Sequence, residues 1–152
     1  VLLVAAGRAQ VQQEPRAQTT EGTGINIACS HPNIQSSNYI YWYRQFPGRE
    51  PTFLVWAYSG SKDVRNPAGR LSVTGDRRSS ALWLTDPRLR DAAVYYCALS
   101  TPTAPLIFGK GTQLTVEPSN QKESDPEVVL IKSKAAEEGG STGKAACLAR
   151  NF

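Results

Sequence analysis

Asp91-Ala92-Ala93-Val94-Tyr95-Tyr96-Cys97 is the stretch on which the fold of this 152-residue chain turns. Val94 to Leu99 reads as a strand, with Tyr96 on the face turned away from the core. The segment before it, Asp86 to Ala93, is too short and too interrupted by Pro87 for more than one helical turn. Working outward, Cys97 has a counterpart in Cys29, 68 residues upstream. The first residues, Val1 to Ala9, form an apolar run ending in small residues, as at the end of a secretory signal peptide, with Gln10 as the first residue of the mature chain. In a secreted chain the expected state of two such cysteines is a disulfide. Free buried thiols are the alternative, and the residues around the pair argue against it.

Between and beyond the two cysteines, short strands alternate with turn signals at the spacing of a β-sandwich. Gly24 to Ser30 places Ile25, Ile27 and Cys29 on one face. Ile40 to Gln45 places Ile40 and Trp42 on one face and Tyr41, Tyr43 and Gln45 on the other, and Pro47-Gly48 then makes a turn. Thr52 to Tyr58, Arg70 to Thr74, Ser80 to Thr85 and Gln113 to Glu117 follow as strands, with Leu82 and Leu84 inward and Trp83 outward. An edge strand over Gln10 to Glu14 is the competing use for the start of the mature chain. Helical periodicity is absent, so the chain is all-β.

Cys29, Trp42 thirteen residues on, and the run ending Tyr95-Tyr96-Cys97 together resemble an immunoglobulin variable-type domain, a two-sheet Greek-key sandwich. The resemblance implies that Trp42 packs against a Cys29–Cys97 disulfide between the sheets. It also implies that Tyr95 forms a tyrosine corner, its hydroxyl bonded to upstream backbone, and that Arg70 and Asp91 form a salt bridge closing one end of the sandwich.

Adhesion molecules share that fold, so fold alone does not give function. Phe108-Gly109-Lys110-Gly111-Thr112, followed by alternating Leu114 and Val116, resembles the joining-segment signature of rearranged antigen receptors. Two glycines one residue apart permit a bulge that redirects the last strand and holds up the loop before it. Leu89 to Leu99 and Tyr43 to Gly48 are similar to T cell receptor variable segments of the alpha and delta types. Leu106 to Pro118 looks most like a delta joining segment, and Lys144 to Phe152 resembles the second strand of a delta constant domain. The short third loop departs from the delta pattern and leaves alpha open.

The resemblance implies antigen recognition through three loops at one end of the sandwich: 33–39, 57–62 and 98–107. The contact residues it implies are Asn33, Gln35, Asn38, Tyr39, Tyr58, Ser59, Leu99, Ser100, Thr101, Pro102 and Thr103. Tyr39, Tyr58 and Leu99 would be anchors, because aromatic side chains give large contact area with few rotors. For Tyr39 and Tyr58 the alternative is to prop up their own loops. Prolines 102 and 105 stiffen the third loop and lower its ordering cost on binding. A partner face of Tyr43, Gln45, Pro51, Phe53, Tyr96 and Phe108 would meet a second receptor chain, gamma if this chain is delta and beta if it is alpha. Antigen or an antigen-presenting molecule, and signalling subunits, would be the other partners, at the extracellular face of the plasma membrane. A variable-type adhesion or co-signalling receptor is the competing reading.

Composition and charge exclude other classes. The net charge of +4 is interspersed along the chain, whereas a nucleic-acid footprint needs a clustered basic stripe. His31 is the single histidine, precedes Pro32, and reads as a surface loop residue with no nucleophile motif to serve. Gly139 to Ala145 only superficially resembles a phosphate loop, since Glu138 and Ala145 stand where that motif needs Gly and Ser or Thr. No catalytic, metal or cofactor site is expected, and no stretch approaches the roughly 20 apolar residues of a membrane span. The expected organisation is a signal remnant over 1–9, a variable-type domain over 10–117, a polar linker over 118–126 and the first two strands of a constant-type domain over 127–152. Cys147 would be its first core cysteine, lacking an intradomain partner.

Overall fold

The computed structural model describes residues 10–103 and 105–119. The expected signal remnant and the expected constant-type strands with Cys147 lie outside the described residues. The strands are β1 (Arg16–Thr20), β2 (Ile25–Ser30), β3 (Ile40–Gln45), β4 (Thr52–Ala57), β5 (Ser61–Arg65), β6 (Ala68–Val73), β7 (Ser79–Leu84), β8 (Ala93–Leu99), β9 (Ile107–Phe108) and β10 (Thr112–Glu117). One sheet runs β1-β10-β8-β3-β4, with β9 also paired to β8, and the other runs β2-β7-β6-β5. A single turn of 3-10 helix, Leu89–Asp91, fills the short segment before β8.

The inward faces follow the alternation in the sequence. Ile27 and Cys29 from β2, Ile40 and Trp42 from β3, Leu82 and Leu84 from β7, and Tyr95 and Cys97 from β8 are all buried in one core. Cys29 and Cys97 are joined by a disulfide that ties the two sheets together. Trp42 stands directly opposite Cys97 in the β3–β8 register, as the resemblance implied. Tyr95 donates its hydroxyl to the Asp91 carbonyl at 2.7 Å, forming the expected corner. Burial pushes the Tyr95 phenol up to about 12, so it stays a donor throughout the physiological range.

Three strands escaped the sequence reading, each for a physical reason. β1 is polar and shows no alternation because it is an edge, paired in parallel with β10 alone. Just before it, residue 12 bridges Ser30 of the opposite sheet, so the chain crosses between sheets near Pro15 rather than forming the Gln10 to Glu14 strand. β5 is also an edge and buries only Val64. β9 is two residues long, and its signal is inseparable from the loop it closes. In β4 a register shift opposite Trp42 and Tyr43 leaves Leu54 without a partner on β3. Simple alternation would put Phe53 on the same face as Val55, but the shift turns Phe53 outward while Val55 and Ala57 stay in the core.

The salt bridge across the end of the sandwich differs from expectation. Arg70 pairs with Asp63 on the neighbouring strand at 3.0 Å, with both side chains mostly exposed. Asp91 is instead reached by Arg44 of β3 at 3.6 Å, with both side chains largely buried. Arg44 lies opposite Tyr95 in the β3–β8 register, which places its guanidinium over the corner that Asp91 caps. Asp91 also accepts the Arg88 backbone N–H at 2.8 Å.

Candidate functional site

Three short connections, two crossing between the sheets and one closing the β8–β9 hairpin, form loops at one end of the sandwich. The first spans 31–39, the second is only Tyr58 to Gly60, and the third runs from Ser100 to Leu106, with residue 104 outside the described set. The second and third are narrower than the sequence suggested, because β4 continues through Ala57, β5 starts at Ser61 and β8 continues through Leu99. Leu99 is 2% exposed and points into the core, so it supports the third loop from beneath and offers no contact surface.

Asn38 is likewise a support, at 8% exposure. Its amide donates to the Ser100 carbonyl, and its oxygen accepts the Gln35 backbone N–H at 2.9 Å. Ser100 donates its own N–H to the Tyr39 carbonyl and accepts the Tyr39 N–H on its hydroxyl oxygen, both at 2.9 Å. Loops one and three are thereby stitched together through groups that would otherwise be desolvated without partners. Asn33, Gln35, Tyr39, Ser59, Pro102 and Thr103 are exposed at this end, and Tyr58, Ser100 and Thr101 are partly so.

Three aromatics and a lysine form a cluster on this surface. Tyr39 stacks edge-on against Trp56 at 5.4 Å and against Tyr58 at 5.1 Å. Trp56 is 41% exposed and carries the Lys62 ammonium over its ring at 3.8 Å. The sequence reading missed Trp56 because it sits within a strand rather than a loop. Its signal was the outward parity shared with Tyr41, its partner in the register. Tyr58 does prop a loop, since its hydroxyl donates to the Ser36 carbonyl at 2.8 Å.

The expected partner-face residues come together on the outward side of the first sheet. Tyr43 packs against Phe53 at 5.7 Å and Phe108 at 5.4 Å, and Tyr96 meets Phe108 at 6.1 Å. Tyr96 donates to the Gln45 side-chain oxygen at 3.0 Å, and Pro51 stands exposed beside β4. Phe53 and Phe108 are each about half exposed, which makes this a contiguous aromatic layer open to solvent. The two joining-like glycines have distinct roles beneath it. Gly111 adopts φ +93°, and a Cβ there would come within 2.7 Å of Val94 and Tyr96 side-chain atoms. A Cβ on Gly109 would strike the Gln13 side chain at 2.6 Å, a side chain that bonds the backbone of both Tyr95 and Cys97.

His31 is not a surface residue. It is fully buried, with Nε2 3.1 Å from the Ser80 hydroxyl, because the chain folds inward at the end of β2 to begin loop one. Burial lowers its pKa below the ordinary 6.5 and favours the neutral ring. His31, Cys29 and Cys97 bring three potential ligand atoms within 4.8 Å of one another. Both sulfurs are consumed by the disulfide and have no thiolate to offer a metal.

The immunoglobulin V-set domain family matches residues 12–117. The chain is 40% identical over 96 residues to human T cell receptor alpha variable 2, covering 63% of this chain and 80% of that one. It is 33% identical over 144 residues to the human T cell receptor alpha chain MC.7.G5, covering 93% of this chain and 50% of that one. A crystal structure of a chicken TCR superposes with a TM-score of 0.68 at 64% identity, covering 72% of this chain and 56% of that chain. The chain thus spans about half the length of the whole receptor chain it matches. The sandwich, its disulfide and tyrosine corner, and these likenesses agree: the chain belongs to the immunoglobulin V-set family and carries a T cell receptor variable domain.

Proposed function

We propose that this chain recognises antigen as one half of a heterodimeric T cell receptor at the extracellular face of the plasma membrane. The observation that carries the reading is the joining-like run Phe108 to Thr112. Gly111 lets it pass close against Val94 and Tyr96 of β8, Gly109 makes room for Gln13, and Phe108 enters the aromatic layer just after the third loop. The contact surface is formed by Asn33, Gln35, Tyr39, Tyr58, Ser59, Ser100, Thr101, Pro102 and Thr103, together with Trp56. Asn38 and Leu99 hold that surface in place. The layer of Tyr43, Gln45, Pro51, Phe53, Tyr96 and Phe108 receives the second receptor chain, and signal output passes to associated subunits. Mapping the chain to its germline locus tests the reading against an adhesion receptor: a single unbroken exon encoding Val94 to Val116 would exclude a rearranged receptor.

Within that reading the chain is of the delta type and pairs with a gamma chain. The support is the joining stretch Leu106 to Pro118 and the segment Lys144 to Phe152. The alpha type, paired with beta, is favoured instead by the alpha chains among its relatives, one of them similar over 144 residues. Co-expression with gamma and with beta chains of the same species distinguishes the two by which one co-purifies with this chain.

A further inference from the structure

Arg77 belongs to none of the three loops, yet its side chain touches two of them. It lies in the turn between β6 and β7. Its Nε donates to the Tyr58 carbonyl at 2.8 Å, its Nη2 to the Asn38 carbonyl at 2.7 Å and its Nη1 to the Gln35 carbonyl at 3.3 Å. The guanidinium also lies 3.7 Å from the Tyr58 ring centroid. One planar fork thus satisfies backbone carbonyls from loop one and loop two at once, a geometry that a point-charge ammonium cannot reproduce.

The backbone of this residue is equally particular. Arg77 has φ +61°, in the left-handed region where a non-glycine residue is uncommon. The turn around it is closed by its own hydrogen bonds. Arg77 N–H donates to the Thr74 carbonyl at 2.9 Å, Arg78 N–H donates to Asp76 Oδ1 at 3.0 Å, and the Thr74 hydroxyl donates to the same carboxylate oxygen at 2.7 Å. Glycine would adopt this conformation at no steric cost, so the side chain is what distinguishes arginine here.

We propose that Arg77 is a positioning residue: from outside the contact surface, it fixes loop one against loop two, and through Asn38 it fixes both against loop three. Its carbonyl contacts at Gln35 and Asn38 bracket the segment whose Asn38 side chain reaches Ser100. The surface is then already ordered before a ligand arrives, which lowers the entropy cost of binding. The functional meaning of that order rests on the antigen-recognition reading, whereas the order itself is measured without any ligand.

Hydrogen exchange by mass spectrometry on the full chain provides the test, with Arg77→Gly and Arg77→Lys compared with the native protein. Glycine keeps the left-handed turn and removes the fork, so the fold should survive with its melting temperature shifted by only a few degrees. The amides of Gln35, Asn38, Tyr39 and Ser100 should exchange about tenfold faster or more, because charged-group hydrogen bonds are lost, while the strand amides of β3 and β8 keep their native rates. Arg77→Lys should show most of the same loss. Unchanged loop exchange in Arg77→Gly, equal acceleration in loops and strands, or native protection in Arg77→Lys would each overturn the proposal. If the germline locus excluded an antigen receptor, a loop-specific loss would still stand as a property of the fold.

Discussion

Replacing Arg44 by methionine should destabilise the domain far more than the same change at Arg70. Arg44 and Asp91 have side chains only 11% and 7% exposed, so removing the cation leaves a carboxylate in a site that water barely reaches. Breaking a buried pair from one side typically costs about 3–5 kcal/mol. Here the 3.6 Å separation is long, and Asp91 keeps the Arg88 N–H at 2.8 Å, so about 2–3 kcal/mol is expected. Arg44 also loses its place 4.5 Å from the Phe46 ring. Arg70 and Asp63 are closer, at 3.0 Å, but their side chains are 56% and 76% exposed, which screens the pair to about 0–0.5 kcal/mol. On a domain of this size each kcal/mol shifts the melting temperature by about 4–8 °C. Thermal unfolding of the disulfide-intact chain should therefore separate Arg44→Met from Arg70→Met by about 6–24 °C. Adding Asp91→Asn to Arg44→Met should cost less than the two single changes summed, since the pair is already broken. Equal costs for the two arginine variants, or strict additivity with Asp91→Asn, would refute the assignment of Arg44 as the partner of Asp91.

Three further outcomes follow from the same geometry. Alkylating the non-reduced chain should leave Cys29 and Cys97 unlabelled, and reducing their disulfide, which closes a 68-residue separation, should cost about 4 kcal/mol in urea unfolding. Burial holds the His31 pKa below 6.5, so the unfolded chain takes up a proton that the folded chain resists. Stability is thus complete above about pH 6.5 and declines as the pH falls below it, and Tm measured between pH 7.5 and 5 should slope less in His31→Gln. Phe108→Ser should leave the domain folded and weaken association with the proposed second receptor chain by about 1–2 kcal/mol, roughly tenfold in Kd, because a half-exposed ring in the aromatic layer is lost. Native recovery of the heterodimer in a pull-down titration would remove Phe108 from the interface.

Much of this protein is legible in its sequence because the information is local or covalent. Two cysteines, a tryptophan between them and a tyrosine two residues before the second cysteine are chemically unusual choices, and their joint spacing resembles that of a variable-type immunoglobulin sandwich. Strands that bury one face announce themselves by alternation, which marks β2, β3, β7 and β8 to within a residue or so of their ends. The outward parity of Tyr43, Gln45 and Tyr96 followed from the same rule.

What the tertiary structure alone decided concerns edges, depth and partners across the chain. β1 and β5 carry no hydrophobic period because each has a single strand neighbour and little core to face. The register shift in β4 sends Phe53 outward, and no propensity marks it. Which arginine reaches Asp91 depends on the β3–β8 register that sets Arg44 beside Tyr95, whereas the resemblance pointed to Arg70. Loop residues are polar whether they meet a ligand or one another, and the Asn38 amide spans to Ser100 rather than to the surface. His31 shows the same effect, since one residue past a strand end the chain can turn either to solvent or into the core. Arg77 is the extreme case: its three acceptors lie 19 to 42 residues away in sequence, and only the closure of the sandwich end brings them within reach of one side chain.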